Sequence, residues 1–223
     1  MVPGREATTW RFDGHIAGVG TAQGTRLVVG RWRTSPWGSF SDVMVEHPDG
    51  TRLLLAPDQR VADEVAATYV FDAVHVVPVV VGADRSSRTW RILAGPLEAT
   101  LHIGARTSVG HALRLVPGAL AGRPATAAAL DPVARVVLPG VRTVGSASGG
   151  RTEWYAARDQ HAVTAVEARW GDDDLGELRD VDPPTRFGFS STPRRPAVTR
   201  ITTTVATGGT AGRTTTAPAR PGH

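Results

Sequence analysis

Between Phe40 and Ala56 apolar and polar side chains alternate with period two, pause at Pro48-Asp49-Gly50 and resume. That pattern predicts two half-buried strands joined by a tight turn. Proline presets φ at the first corner, aspartate suits the second, and glycine takes the left-handed position that closes a three-residue loop. The turn fixes a register, because partners in an antiparallel pair sum to a constant: His47 faces Thr51, Glu46 faces Arg52, Val45 faces Leu53 and Val43 faces Leu55. Val43, Val45, Leu53 and Leu55 then share the core face, and Glu46 and Arg52 are expected to pair on the other.

Alternation and helical spacing take turns along the rest of the chain. Trp10 to His15 reads as a strand entering an Asp13-Gly14 turn, and RLVVGRW as another strand. Val61, Val65 and Tyr69, with Ala62 and Ala66 beside them, recur at helical spacing and predict an amphipathic helix over 58–69. A strand over 70–81 follows, where Pro78 argues for an edge or a bulge. His75 on it reads as a core or rim histidine. Thr89 to Leu93 and Leu97 to Ile103 form a second hairpin pattern. Over 108–138 helical spacing returns, cut short by Pro117, Pro124 and Pro132. GSASGG at 145–150 reads as a flexible connection, 152–170 as strands, DDDLG at 172–176 as a turn and 198–205 as a threonine-rich strand. After that, 206–223 holds no aromatic and no large aliphatic side chain, so it is expected to stay disordered. The fold expected is α+β: a mainly antiparallel sheet curled into a barrel or half-barrel, with one amphipathic helix and a proline-broken helical insert, all in a single domain over 1–205.

Composition narrows the chemistry. With 223 residues and 41% hydrophobic residues the chain can fill one sizeable core. It contains no cysteine and no lysine, so disulfides, thiolate ligands, Schiff-base amines and phosphate-loop lysines are all excluded. The net charge of +4 divides unevenly: no acidic residue follows Asp182, while Arg186, Arg194, Arg195, Arg200, Arg213 and Arg220 do. Six spread arginines, with no aromatic among them other than Phe187 and Phe189, make a weak footprint for a nucleic-acid binder. The first nine residues lack a secretory pattern and no run approaches the ~20 apolar residues of a membrane helix, which points to the cytoplasm. The proline-cut insert is expected to cover one end of the barrel. Its arginines Arg114, Arg123 and Arg135 would alternatively suit a membrane surface, a second and less favoured reading.

Two Asp-x-His pairs, Asp13/His15 and Asp159/His161, place both side chains on one strand face about 6.6 Å apart. Such spacing serves an oriented base or two metal ligands. No third ligand is evident from the sequence, so neither a metal nor a cofactor is expected. Asp159 and His161, with Asp42, are the candidate acid–base residues. Trp37, Phe40, Trp154 and Tyr155 are the candidate walls of a ligand pocket at the barrel mouth. GSASGG is no serine-hydrolase elbow, because Ala147 stands where the serine belongs.

Residues 31–46, RWRTSPWGSFSDVMVE, resemble a strand of acetoacetate decarboxylase-like proteins, with Trp32, Ser35, Pro36, Gly38, Phe40 and Asp42 at matching positions. The resemblance implies an antiparallel barrel-like α+β fold around a pocket for small keto acids. Ser39 and Asp42 depart from the pattern, and the absence of lysine speaks against decarboxylation. Glycine-aromatic strands of this kind also occur in lipocalin-like barrels, which bind apolar ligands. The expected function is therefore a small-molecule pocket for a small organic acid or an apolar ligand. The alternatives are a lysine-independent lyase or hydratase using Asp/His chemistry, and a surface or interaction protein using the insert and the basic tail.

Overall fold

In the computed structural model, which describes residues 9–115, 144–147, 151–188 and 192–207, thirteen strands join one sheet. They are β1 (Thr9–Thr21), β2 (Arg26–Thr34), β3 (Phe40–Glu46), β4 (Arg52–Ala56), β5 (Ala73–Val76), β6 (Val79–Asp84), β7 (Thr89–Ala94), β8 (Leu97–Arg106), β9 (Val144–Ala147), β10 (Arg151–Trp170), β11 (Asp173–Asp174), β12 (Leu178–Arg179) and β13 (Ala197–Thr207). Helices α1 (Gln59–Ala66) and α2 (Ser108–Leu113) accompany them. No helix among the described residues is long and apolar enough to cross a membrane.

The β3–β4 hairpin forms in the expected register, Val43 opposite Leu55, Val45 opposite Leu53 and Glu46 opposite Arg52. Gly50 has φ 91°, and its N–H donates to the His47 carbonyl at 2.9 Å. The expected Glu46–Arg52 ion pair does not form. Glu46 is fully buried between Arg26 (3.1 Å) and Arg186 (2.9 Å), while Arg52 turns to Asp72 at 2.9 Å. Part of the cause is remote in sequence: residues 183–187 return over this face, and the Arg186 N–H also donates to Glu46 at 2.8 Å. Arg26, its cross-strand partner on β2, and Arg186 together outcompete Arg52 on β4 for a carboxylate shut off from water.

Across the sheet the strands run β5-β4-β3-β2-β1-β13-β10-β8-β7-β6, with β9 and β11 on β10 and β12 on β1. The pairings along this path are antiparallel except β4–β5, which α1 bridges as a parallel crossover. The run Ala73–Asp84 therefore stands at both ends of the path: β5 pairs with β4 and β6 with β7. Only Val77 and Pro78 separate the two halves, and the Val77 N–H still donates to Ala56 at 2.9 Å. Proline has no N–H to give, so the ladder changes partner where a donor is missing. The sheet thus curls into a barrel-like wall.

Inside the wall the period-two faces meet. Ala17, Val19, Leu27, Val29, Val43, Val45, Leu55, Ile92, Leu97 and Leu101, from six strands, pack as one cluster and are almost wholly buried. Each large side chain here contributes about 1.5–3 kcal/mol of burial. On the outside, α1 lies over Leu54, Ala56 and Met44 through Val61, Ala62 and Val65. Asp58 caps the helix by accepting from the Val61 N–H at 2.9 Å.

Three local expectations are corrected. Asp13-Gly14 is not a turn: β1 runs through it with a bulge, and Gly14 lies so close to Trp32 that a Cβ there would stand 2.9 Å from the Trp32 Cα. GSASGG is not wholly a connection, since Val144–Ala147 pairs with β10. Asp173–Asp174, within the expected turn, pairs with β10 as well. Of the helical insert, α2 falls among the described residues, while 116–138, like Phe189 and the tail beyond residue 207, lies outside them.

Candidate functional site

Ser35-Pro36-Trp37-Gly38 opens the site. The Gly38 N–H donates to the Ser35 carbonyl at 3.2 Å, and the Ser35 hydroxyl accepts from the Trp37 N–H at 3.0 Å. Proline at the second corner favours this turn, and its effect is to hold the Trp37 ring over the outer face of the sheet. There Trp37 meets Phe12 at 5.5 Å and Phe40 at 6.2 Å between ring centroids, and Phe12 meets Trp32 at 5.8 Å. Trp32 and Phe40 are direct cross-strand partners. These rings from β1, β2, the turn and β3 wall a cavity of about 70 Å³, roofed by Val65 and Thr68 of the α1 segment. Tyr69 and Tyr155, whose hydroxyls are in contact, stand at its margin with Thr203 and Val205 of β13.

Asp42 is the cavity's buried carboxyl. It is 3% exposed and accepts a hydrogen bond from the Trp32 indole N–H at 3.0 Å. No cation pairs with it among the described residues. Burial pushes its pKa up to about 6, against the smaller opposing pull of the Trp32 bond. Gly30, opposite Asp42 on β2, makes the arrangement possible, since a Cβ there would stand 2.3 Å from the Asp42 carboxylate oxygen. The result is an aromatic box, with Glu64 of α1 also on its lining, in which Asp42 is able to change its proton near pH 6.

Of the residues expected from the sequence, Asp42, Trp37, Phe40 and Tyr155 line this cavity together. Asp159 and His161 do not join them. The cavity also differs in place from the expected barrel mouth, because the barrel interior is filled by the main apolar cluster. Asp159 and His161 lie on the inner face of β10, in line with buried Val163. Asp159 is bound by Arg106 through two hydrogen bonds of 2.7 and 3.0 Å, and Arg106 holds its carboxyl below the usual carboxylate range. His161 stands 3.9 Å from it and places Nδ1 3.3 Å from the Gly104 carbonyl. The other pair, Asp13/His15, has the same inward parity one strand beyond β13. Trp154, next to Tyr155, pairs with Thr204 and Val144 and does not line the cavity. Phe12, Gly30, Trp32 and Tyr69 join the lining beyond the residues the sequence points to. Extending the period-two outer face from β3 to β2 and β1 would have found the first three. Tyr69 needs the crossover geometry of α1.

Among the described residues no cluster of three or more metal-ligating side chains occurs. No family model matches the chain, and no curated protein does. Among solved structures, a protein of Nitrosomonas europaea provisionally described as AttH aligns with 92% of this chain and 57% of its own length, at 10% identity and a TM-score of 0.25. The chain thus spans little more than half of that protein, and at this similarity no residue role transfers.

Proposed function

We propose that the chain binds a small apolar molecule, ring-bearing or unsaturated, that carries one hydrogen-bond donor, in the cavity beneath α1. The observation that carries the reading is Asp42, a buried carboxyl without a cation partner among the described residues, in a box of Phe12, Trp32, Trp37 and Phe40. Buried carboxyls with few hydrogen bonds are unfavourable, and a ligand hydroxyl or amine would add a second donor beside the Trp32 N–H while the rings take up the apolar body. An organic acid fits this cavity less well, since its carboxylate would meet that of Asp42 above pH 6. The same raised pKa favours a second reading, proton transfer from Asp42 to a bound unsaturated ligand in the manner of a lyase or hydratase, because a general acid works best with a pKa near the operating pH.

Thermal shift and tryptophan fluorescence with a panel of cyclic alcohols, amines and alkenes test both. Binding is expected to weaken in Trp37→Ala, which removes one wall, and in Asp42→Asn, which changes the polar contact. Binding that survives both substitutions would place the ligand elsewhere. Turnover of a bound alkene that disappears in Asp42→Asn while its binding persists selects the enzymatic reading.

A further inference from the structure

On the inner face, just beyond the packed core, the strand register sets Arg31 of β2, His15 of β1, Arg200 of β13 and Asp159 of β10 abreast as successive cross-strand partners. Like charges opposed across a ladder destabilise a sheet. Here an imidazole stands between two guanidinium groups, with Arg33 also within electrostatic reach. The one carboxylate in the row, Asp159, is already held by Arg106 through two hydrogen bonds. Neither Arg31, Arg33 nor Arg200 has a carboxylate partner among the described residues. Arg31 is half-buried: its Nε donates to the Val81 carbonyl at 3.2 Å and its guanidinium lies 6.0 Å from the Trp90 ring centre. His15 packs edge-on against the same ring at 6.0 Å. Its Nδ1 is shut off from solvent without a hydrogen-bond partner among the described residues.

We propose that this row binds a small oxyanion, a carboxylate or a phosphate group, over His15 and between Arg31 and Arg200. The two arginine positions lie two strand spacings apart, about 10 Å, so both long side chains reach a group centred above the imidazole. Guanidinium forks match carboxylate and phosphate oxygens, and an imidazole N–H adds a third donor. The bound charge supplies what the row lacks, a counter-ion for cations placed side by side. His15 supports the assignment, as burial first, and then Arg31, Arg200 and Arg33, push its pKa down to about 4. An anion would relieve that pressure. The site lies on the face opposite the cavity under α1 and does not depend on that cavity's occupant.

The test is calorimetric titration of the full chain with inorganic phosphate and with succinate at constant ionic strength set by chloride. Saturable binding of either supports the proposal, and the tighter of the two names the group recognised. Arg200→Gln and Arg31→Gln are each expected to weaken it about tenfold, the loss of one charge-assisted hydrogen bond. Trp37→Ala, on the other face, is expected to leave it unchanged. The His15 ring resonances, identified by their absence in His15→Gln, report the same event in the unsubstituted protein. They are expected to move with the titrant that binds and not with chloride. No saturable binding of either anion, stationary His15 resonances, or an affinity that Arg200→Gln and Arg31→Gln both leave unchanged would overturn the proposal.

Discussion

Asp42 is buried without a cation partner among the described residues, and its proton is therefore linked to folding. Its folded-state pKa of about 6 exceeds the ordinary 3.8, so between those values the folded chain keeps a proton that the unfolded chain has released. Its contribution to stability is thus greatest below about pH 4, falls as the pH rises through this window and is constant above it. The whole change is of order 3 kcal/mol. Asp42→Asn preserves an acceptor for Trp32 without the charge. Urea midpoints are expected to show the variant more stable than its parent at pH 7.5, with the gap closing towards pH 4. A parent equal to the variant at both pH values would mean that the carboxyl is solvated. Glu46 shows the opposite design, a buried carboxylate matched by Arg26 and Arg186. Glu46→Ala leaves the Arg26 head buried and unmatched and is expected to lose about 3–5 kcal/mol. Arg52→Ala, on a solvent-facing pair, should stay within about 1 kcal/mol. Equal losses from the two would reverse the assignment. Asp42, Trp37 and Phe40 were legible because one turn and one strand hold them in sequence. The partners of Glu46 were not: Arg26 faces it from β2, a register that no turn announces, and Arg186 returns from 140 residues away.

At the scale of elements, a local turn speaks for itself and a long strand does not. Pro48-Asp49-Gly50 specified the β3–β4 register without reference to the rest of the chain. Gly50→Val forces a β-branched residue to φ 91° and meets the Arg186 side chain. A loss of about 2 kcal/mol is expected from chemical denaturation. An unchanged midpoint would remove the strained turn from this account. Gly14, by contrast, suggests a turn in the sequence because glycine after aspartate so often makes one. Here it serves as the flat spot that admits Trp32 against β1, a role visible only with the neighbouring strand in place. Helix α1 was legible from its spacing, and its function as the roof of a cavity was not. That function depends on which face of β3 and β4 is the outer one.

At the scale of the molecule, the curled antiparallel sheet was legible from the number of alternating segments and the single clear helix. Its closure was not, since it rests on a parallel β4–β5 pairing and on one run of chain serving two neighbours. One core shared by strands from all parts of the described chain predicts a single cooperative unfolding transition, with calorimetric and van't Hoff enthalpies in agreement. Two separated transitions would divide the sheet into independent units. Chain ending at Thr207 is expected to melt at the temperature of the full chain, because the residues beyond it bring no apolar side chain larger than alanine or proline. A lower melting temperature would make those residues structural. The strand Ala73–Asp84 has a further consequence, for behaviour in crowded solution. Sheet borders recruit other molecules through unpaired N–H and C=O groups, and this protein covers both of its borders with the same twelve residues. Should that run peel away, both borders open at once, and the released segment is itself valine-rich, with Val74, Val76 and Val80 already 42–58% exposed. Aggregation would then begin at this seam, well before the core melts.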